Sequence, residues 1–519
     1  MAWFAPKPLI LPEIIAQNAR YMPAKPAWVC DGETVTWGGF GKGTAKIGNA
    51  LLDSGLVHGD RVIVLMKNSY AMAEAMFGII RAGLVAVPLN VSITDDAIAG
   101  MIHNAGARAV IASGEHVLRV ERIRDSVAEQ IGERFISLDE DISGWQPYDE
   151  LRQRGSSDDP DVTITAADEC NIIYSSGTTG MPKGIVHDHA CREAWASDMA
   201  VALRYHSGAR TVCNLGLFSN ISWVAMLSTM FCGGTIFIDR KFTPAGFLEM
   251  VERDRITHTA MVPLQFQMIL ECEEFEQYDL SSLDAYMCCG SPLAVGLKQQ
   301  IVERIPGAFV ELYGLTEGLV TVLEPEDMLQ KIDSVGRPCP GQDIVILDND
   351  DKVLAAGEAG EIVGHSRFMM AGYHNNDEEN AANTWMHPSG SRWLRTGDIG
   401  RLDEDGFLYL VDRKKDMIIS GGQNIYPADI EATLIANDAV HEVAVIGVAS
   451  AKWGETPLAV VVTNPGATIE EEELTAWANS RLGKQQRIAG TVFIDELPRN
   501  PNGKVLKREL RRHFSDVSY

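Results

Sequence analysis

Short apolar runs alternate with helix-like segments in this chain, and that alternation limits the possible folds more than any other feature. The run DRVIVLM at 60–66 reads as a buried strand, and an alanine-rich helix is predicted near 71–82. Further apolar runs follow at 84–90 and 108–113, and the alternation returns with a strand-like run at 233–239 and a helix predicted near 244–254. Strand, helix and strand at this spacing favour parallel α/β layers.

The later part of the chain changes character. Residues 342–364 contain short strand-like segments and turns, which predict a β-rich subdomain. A charge run, DRKKD at 412–416, separates two strand-like segments and reads either as an exposed turn or as a hinge. Helix and strand patterns, among them a helix expected at 469–482, then continue for about 105 residues, enough for a compact α+β unit. We therefore expect an α/β protein with a large layered N-terminal part, a β-rich subdomain and a small α+β C-terminal domain.

The charge balance restricts the partners. Asp and Glu total 71 against 45 Lys and Arg, which gives a formal net charge of −26. Such a field disfavours nonspecific binding to nucleic acid or to anionic membranes, and an anionic ligand needs local positive groups that overcome it. We therefore expect small-molecule partners, with no nucleic acid and no integral membrane association.

The cysteines and apolar segments favour a cytoplasmic protein. Nine cysteines are scattered without a CxxC pair or metal-ligand spacing, which is typical of reduced thiols. The N-terminus lacks the long apolar core of a signal peptide. Residues 211–238 carry no charge and are long enough to cross a bilayer. Asn, Ser and paired Gly residues interrupt them, so we expect a buried helix beside a pocket.

A glycine-rich segment at 175–184, SSGTTGMPKG, directly follows the strand-like run NIIY. Its three glycines let the backbone turn tightly, so that N–H groups can converge on an anion, and Lys183 adds positive charge. It is not a Walker A loop, because the chain has no GxxxxGK[ST] string. The segment predicts a phosphate-binding loop; a flexible surface loop is the alternative.

The loop resembles the signature loop of the adenylate-forming superfamily, which contains acyl- and aryl-CoA synthetases, peptide-synthetase adenylation domains and luciferases. Six further motifs of this superfamily follow the loop in the expected order, and the resemblance extends over nearly the whole chain. After the loop come YGLTEG at 313–318, SVGRP at 334–338, GYHNN at 372–376, WLRTGD at 393–398, DRKKDMIISGGQNIYP at 412–427 and LPRNPNGKVLKREL at 497–510. The nearest resemblance is to 4-chlorobenzoate and 4-coumarate CoA ligases and to medium-chain acyl-CoA synthetases.

The resemblance implies a two-step reaction that uses ATP, Mg²⁺ and coenzyme A. A carboxylate attacks the α-phosphate of ATP to give an acyl-adenylate and pyrophosphate, and a thiol then displaces AMP. The first step joins two anions, so positive charge and positioning must lower the barrier. The family also implies an AMP-binding domain at 1–412 and a mobile C-terminal domain at 413–519, with the hinge at Lys415.

The resemblance assigns most of the nucleotide site. The loop residues Ser175, Ser176, Gly177, Thr178, Thr179, Gly180 and Lys183 would hold the β- and γ-phosphates. Tyr313 would offer its aromatic face to adenine, Gly314 would belong to the same nucleotide site, and Thr316 would donate to the α-phosphate. Glu317 would hold Mg²⁺, a hard cation that prefers oxygen ligands. Asp398 would accept the ribose hydroxyls with Arg413 beside it, although a charge run that includes Arg413 also fits a solvated turn.

Two further groups of residues are implied in the C-terminal domain. Lys504 matches the catalytic lysine that meets the substrate carboxylate and the α-phosphate, although a lysine in a basic tail is ordinarily solvated. Ser420, Gly421, Gly422 and Trp453 would line the path of the pantetheine chain. Lys504 would act in the first step and this CoA-binding face in the second.

The acyl pocket departs from the family pattern. The segment Leu215–Asn220 aligns with one that often reads PLFH, but Ser219 replaces the histidine and Gly216 the proline. The mixture of apolar and a few polar side chains suits an aromatic or medium-length acid, with room for an oxygen. The predicted pocket residues are Trp195, Asp198, Ser219, Asn220, Trp223, Val262, Cys289, Gly290, Leu319 and Val320.

The main hypothesis is a carboxylate–CoA ligase. An adenylating enzyme that loads a separate carrier protein, a luciferase-like oxidative enzyme and a non-catalytic binding protein are the alternatives. CoA-dependent consumption of the adenylate separates the first from the others. The identity of the acid and the oligomeric state, including a homodimer, stay open.

Overall fold

The computed structural model describes residues 9–138, 142–175, 182–413, 416–420, 423–484, 486–499 and 504–519. The chain forms two compact units. The first contains the described residues up to Ile332, Pro338–Gln342 and His365–Thr384. The second contains Asp333–Arg337, Asp343–Gly364 and Trp385–Tyr519.

The first unit begins with alternating strands and helices, as the apolar pattern predicts. In chain order these are α1 (Leu11–Tyr21), β1 (Pro26–Cys30), β2 (Glu33–Thr36), α2 (Trp37–Asp53), β3 (Arg61–Leu65), α3 (Tyr70–Arg81), β4 (Val85–Pro88), α4 (Asp95–Ala105), β5 (Ala109–Ala112), α5 (Glu115–Ile131), β6 (Phe135–Ser137), β7 (Gln146–Pro147), α6 (Tyr148–Arg154), β8 (Glu169–Ser175), β9 (Lys183–Asp188) and α7 (His189–Ala202).

The pattern repeats through the middle of the chain. The elements are β10 (Arg210–Cys213), α8 (Asn220–Cys232), β11 (Thr235–Ile238), α9 (Pro244–Asp254), β12 (His258–Met261), α10 (Pro263–Leu270), a 3₁₀ turn (Phe275–Gln277), β13 (Ala285–Cys288), α11 (Val295–Arg304), β14 (Ala308–Gly314) and β15 (Val320–Leu323). Most of these strands are short and fully buried, as expected for strands covered by helices on both faces.

The remaining elements are shorter on average. They are β16 (Arg337–Pro338), β17 (Asp343–Leu347), β18 (Gly360–His365), β19 (Gly372–Tyr373), α12 (Asp377–Ala382), β20 (Thr384–Met386), β21 (Arg392–Leu402), β22 (Leu408–Arg413), β23 (Ile418–Ser420), β24 (Gln423–Ile425), α13 (Pro427–Ile435), β25 (Val440–Ser450), β26 (Gly454–Thr463), α14 (Glu471–Asn479), β27 (Gly490–Phe493) and α15 (Lys507–His513).

Two large, mostly parallel sheets organise the first unit. One has the strand order β19-β9-β8-β4-β3-β5-β6-β7, and the other runs β15-β14-β13-β12-β10-β11-β1-β2. An extensive apolar core packs helices against them, and Trp28, Trp37, Phe40 and Phe77 are fully buried in it. The predicted α/β class is confirmed.

The second unit holds two smaller sheets. The strands β17-β18-β21-β20 form one, with β22 paired to β21, and β24-β23-β26-β25 form the other, with β27 paired to β26. The first corresponds to the predicted β-rich subdomain and the second to the predicted C-terminal α+β domain. The boundary at 412/413 stays a prediction, and Lys415 lies outside the described residues.

The uncharged stretch 211–238 folds as expected for a protein interior. It forms β10, the buried helix α8 and β11. None of the helices in the described part of the chain is both long and apolar enough to cross a membrane. All nine cysteines are free thiols, in agreement with the expectation from their spacing.

Candidate active site

An antiparallel hairpin, β8–β9, leads into and out of the glycine-rich loop. Its register pairs Ser175 with Lys183 at the loop end and Asn171 with His187 lower down. The loop residues Ser176, Gly177, Thr178, Thr179 and Gly180 lie outside the described residues. The hairpin therefore fixes where the loop starts and ends, with Ser175 and Lys183 directly opposite each other.

Lys183, the first residue of β9, places a positive charge at the loop end of the hairpin. Its ammonium forms an ion pair with Glu379 and lies 5.2 Å from the centre of the Tyr373 ring. The same contact holds the pKa of the Glu379 carboxyl below its usual range. An anionic ligand at this position would compete with Glu379 for the Lys183 ammonium. Because the protein carries a net negative charge, such a ligand needs a local positive group, and Lys183 provides one.

The YGLTEG motif begins at the end of β14 and lies next to the same tyrosine. The Tyr373 hydroxyl donates to Oε1 of Glu317 over 2.9 Å, and the backbone N–H of Met370 donates to the Glu317 carbonyl over 2.9 Å. Burial, followed by the nearby Glu317 carboxylate, raises the pKa of Tyr373, so this hydroxyl stays protonated. Tyr373 thus contacts both the Lys183 cation and the Glu317 carboxylate. The carboxylate oxygens of Glu317 are ligands of the kind that a hard divalent cation prefers.

Gly318 lets the motif pack closely on the segment 366–370. Its φ is +119°, and a Cβ built there would overlap the carbonyl of Phe368. The Ser366 hydroxyl donates to the Gly318 carbonyl and closes the same contact. Only glycine combines this backbone conformation with this close approach.

Replacing Gly318 by alanine should therefore lower the melting temperature by several degrees and reduce adenylation. The backbone conformation alone costs about 1–3 kcal/mol for a residue with a Cβ, and the overlap with Phe368 adds to it. Gly390→Ala is the matched control, because Gly390 also has a positive φ of +88° but nothing lies within 4 Å of its would-be Cβ. Equal thermal melting curves for the two variants would show that the close approach at Gly318 contributes nothing.

The structure brings some of the predicted pocket residues together at the start of α8. Ser219 is the N-cap residue of this helix and is buried. A Cβ at Gly290 would lie 3.1 Å from Ile221 and 3.3 Å from Val262, so Gly290 faces the same helix start. A Cβ at Gly216 would overlap the Phe218 ring, so Gly216 and Phe218 pack closely against each other before the helix begins.

Most of the other predicted pocket residues are buried, whereas Asp198 and Asn220 are half-buried. Trp195 stacks on Phe368 with 4.8 Å between ring centres. Asp198 accepts a hydrogen bond from Arg367, and Cys289 and Leu319 are buried. An open groove lies along β1 and β11, lined by Arg210, Arg240, Lys241 and Arg253 among others, and none of the predicted site residues lines it.

A buried cation next to this site escaped the sequence analysis. Arg192 of α7 is fully buried and contacts Asn171, His187 and Asn220. It shares one helix face with Trp195 and Met199, both of which are also buried. A charged residue on the apolar stripe of an amphipathic helix was the available signal.

In the second unit, the proposed ribose-binding residues are neighbours on adjacent strands. Asp398 of β21 pairs with Arg413 of β22, and Nε of Arg413 lies 3.4 Å from Oδ1 of Asp398. The backbone N–H of Asp398 donates to the Thr396 hydroxyl over 3.0 Å. Asp398 is 5% exposed, so its carboxylate is held in a defined position.

Lys504 immediately precedes a short bridge in the C-terminal segment. Val505 pairs with Arg499, and the N–H of Leu506 donates to the Pro498 carbonyl over 2.7 Å. Beyond it, Lys507 forms an ion pair of 2.7 Å with Glu431. Lys504 is therefore next to a segment held by backbone hydrogen bonds and a salt bridge.

The predicted CoA-binding residues are only partly described. Ser420 pairs with Gly454 across β23 and β26. Trp453 is 50% exposed, and the Lys452 ammonium lies 4.6 Å from its ring centre. Gly421 and Gly422 lie outside the described residues, as Lys415 does. An exposed Trp beside a Lys offers an aromatic face and a positive charge to a ligand.

Known proteins match this chain over nearly its full length. Residues 15–374 match the AMP-binding enzyme family, and residues 429–504 match the AMP-binding enzyme C-terminal domain. A feruloyl-CoA synthase of an Amycolatopsis species is 33% identical over 501 residues, covering 96% of this chain and 98% of that protein. A long-chain-fatty-acid–CoA ligase of Mycobacterium tuberculosis is 31% identical over 482 residues, covering 91% of each.

A solved structure agrees with these sequence matches. The o-succinylbenzoate CoA synthetase of Bacillus subtilis, in complex with its acyl-adenylate intermediate, has a TM-score of 0.83 and 26% identity to this chain. The match covers 97% of this chain and 99% of that one. The ordered motifs, the loop-bearing hairpin and the match over 15–374 lead to one conclusion: the chain belongs to the AMP-binding enzyme family.

Proposed function

We propose that this protein is an AMP-forming carboxylate–CoA ligase, which forms an acyl-adenylate from ATP and then transfers the acyl group to coenzyme A. The observation that carries the proposal is the pair of charges at the loop-bearing hairpin. Lys183 and Glu317 both contact Tyr373, so a cation and a carboxylate lie beside the segment that would bind phosphates. Relatives that are CoA ligases support the same reaction.

The first step would bring the acid carboxylate to the α-phosphate. Lys183 and Ser175, together with Ser176, Gly177, Thr178, Thr179 and Gly180, would bind the β- and γ-phosphates. Thr316 would donate to the α-phosphate, Tyr313 would offer its aromatic face to adenine, and Gly314 would belong to the same nucleotide site. Glu317 would hold Mg²⁺, which neutralises phosphate charge when bound. Lys504 would stabilise the charge where carboxylate and phosphate meet.

The second step would use different groups of the C-terminal domain. Asp398 and Arg413 would keep the ribose in place through both steps. Rotation at Lys415 would exchange Lys504 for the face formed by Ser420, Gly421, Gly422 and Trp453, where the thiol arrives. Domain motions of this kind sequester each step from water and set the order of events.

The acid is proposed to be aromatic or of medium length. The pocket residues Trp195, Ser219, Asn220, Cys289, Gly290 and Leu319 combine apolar surface with a few polar atoms. The matched relatives act on a feruloyl group and on long-chain fatty acids, according to their names. The acid that carries a feruloyl group and a long-chain fatty acid each have a large apolar part, which supports an apolar pocket.

Pyrophosphate release over a panel of carboxylic acids, measured with and without coenzyme A, tests the proposed function. The expected result is acid-dependent pyrophosphate release, with AMP and thioester accumulating only when coenzyme A is present. Adenylate formation without transfer to coenzyme A would favour an enzyme that loads a carrier protein. Light emission or oxygen uptake would favour a luciferase-like activity.

Ser219→Phe should narrow the acyl pocket and change the choice of acid. We expect the ratio of kcat/KM between long and short acids to shift by about 10-fold or more, because one or two methylenes in an apolar pocket have that effect. Ser219→Ala, which keeps the pocket open, is the control. An equal loss for every acid together with a higher KM for ATP would mean that Ser219 does not line the acyl pocket.

A further inference from the structure

A guanidinium group is fully buried next to the proposed adenylation site. Arg192 lies on α7 and is 0% exposed. Among the residues that the structure describes, it forms no ion pair with a carboxylate. Burial lowers the pKa of Arg192 to about 10, so the group stays charged at neutral pH. A buried cation without a counter-ion is costly, so its contacts must compensate.

Three side chains from different elements accept hydrogen bonds from Arg192. Nε donates to Oδ1 of Asn171 over 2.7 Å, and one terminal nitrogen donates to Oδ1 of Asn220 over 2.9 Å. The other terminal nitrogen lies 3.2 Å from Nδ1 of His187. The guanidinium also lies 4.6 Å from the centre of the Trp223 ring. Charge-assisted bonds and the aromatic face together offset part of the burial cost.

Thr316 and Arg192 together determine the tautomer of the His187 imidazole. Nε2 of His187 lies 2.8 Å from the carbonyl oxygen of Thr316, and a carbonyl can only accept. Nε2 must therefore carry the proton, and Nδ1 must accept from Arg192, which can only donate. Burial, followed by the Arg192 charge, lowers the pKa of His187, so the ring stays neutral. Arg192 therefore holds the His187 ring in an orientation in which its Nε2–H donates to the backbone carbonyl of Thr316. Thr316 is the residue assigned to the α-phosphate.

The contact with Asn220 acts on the other side of the site. Arg192 occupies Oδ1 of Asn220, the first residue of α8, which follows the pocket residue Ser219. Asn171, the third acceptor, lies directly opposite His187 on the loop-bearing hairpin. One planar group therefore joins the hairpin, the YGLTEG motif and the start of α8. A lysine, with its single ammonium, could not reproduce this fork.

We propose that Arg192 is a positioning residue for adenylation, which holds Thr316 through His187 and orients Asn220 at the acyl pocket. The inference rests on the proposed function and adds a residue that touches neither reactant. Small displacements of a reacting group lower the rate strongly, because attack needs a defined geometry. Loss of this fork should therefore slow the first half-reaction more than the second.

Arg192→Met tests the proposal, because methionine keeps an apolar stem and removes the fork. We expect acid-dependent exchange of pyrophosphate into ATP to fall about 10- to 100-fold through kcat. Thioester formation from supplied acyl-adenylate should stay within a few-fold of the unmodified protein. Nitrogen NMR of the ¹⁵N-histidine-labelled full chain should show the Nε2–H tautomer for His187, and in the variant its Nδ1 resonance should shift because Nδ1 loses the hydrogen bond from Arg192.

Two variants of His187 test the connection separately. His187→Gln can still donate to the Thr316 carbonyl and accept from Arg192, so we expect it to retain most of the exchange activity. His187→Leu can do neither and should resemble Arg192→Met. A Leu variant as active as the Gln variant would overturn the role of this connection.

Arg81→Met is the matched control for the loss of a buried arginine. Arg81 is 7% exposed and bonds to Thr44 and Asp159, away from the site. We expect it to lower the melting temperature without changing the ratio of the two half-reactions. If Arg192→Met lowers both half-reactions equally, or leaves exchange unchanged in a folded protein, the positioning role is wrong. If the unmodified protein exchanges no pyrophosphate with any acid, the proposed function fails as well.

Discussion

Lys504→Ala is expected to reduce acyl-adenylate formation by at least about 10²–10³, the usual loss when one electrostatic stabiliser of a transition state is removed. Thioester formation from a supplied acyl-adenylate should stay within a few-fold of the unmodified enzyme. The reason is that Lys504 is proposed to act only while carboxylate meets ATP, before the C-terminal domain rotates. Rapid-quench assays of each half-reaction measure the two rates independently.

Lys507→Ala is the control for this change. Lys507 is another basic residue of the C-terminal segment, has no proposed role in either step, and forms an ion pair with Glu431. We expect that variant to keep both half-reactions, with at most a small loss of stability. The melting temperature must accompany each rate, since a misfolded variant loses both steps. A folded Lys504→Ala protein that slows both steps equally would rule out the assigned role.

Glu317→Gln is expected to lower adenylation by about 10² at fixed Mg²⁺ and to raise the Mg²⁺ concentration needed for half-maximal rate. The amide keeps the shape and can still accept from the Tyr373 hydroxyl, now 2.9 Å from Oε1. It loses the negative charge that a hard cation prefers among its ligands. Titration of the adenylation rate with Mg²⁺ measures both changes.

Tyr373→Phe separates charge from positioning at this carboxylate. The variant keeps the charge of Glu317 and removes only the hydrogen bond, so we expect a smaller loss and little change in Mg²⁺ dependence. If Glu317→Gln leaves rate and Mg²⁺ dependence unchanged, Glu317 is not the metal ligand. If Tyr373→Phe has the larger effect, the hydroxyl rather than the carboxylate is the important group.

Local pattern was sufficient for the class of fold and for most elements. The apolar runs at 60–66 and 108–113 are β3 and β5, and the helix predicted near 244–254 is α9. Each is a run whose periodicity or apolar content is visible without its neighbours. Helix ends were less accurate: the helix expected at 469–482 is α14, Glu471–Asn479. Ends depend on capping and packing, which local composition reflects only weakly.

Motif strings also identified the family and most candidate site residues from the sequence alone. Such strings are informative because a tight turn needs glycine, and phosphate and metal binding need particular side chains at fixed spacing. The loop motif at 175–184 and the YGLTEG motif predicted the roles of Lys183 and Glu317. It could not give their partners, because those lie elsewhere in the chain.

Only the tertiary structure decided which distant side chains meet at the site. Lys183 contacts Glu379, 196 positions away, and His187 contacts Thr316, 129 positions away. Arg192 reaches Asn171 and Asn220 from α7, and the local sequence around Arg192 does not indicate either partner. Periodicity tells which face of an element is buried, but the partner on that face is set by the order and register of strands brought together by packing. For that reason the sequence determined the fold class and the family, whereas the buried network around Arg192 came only from the folded chain.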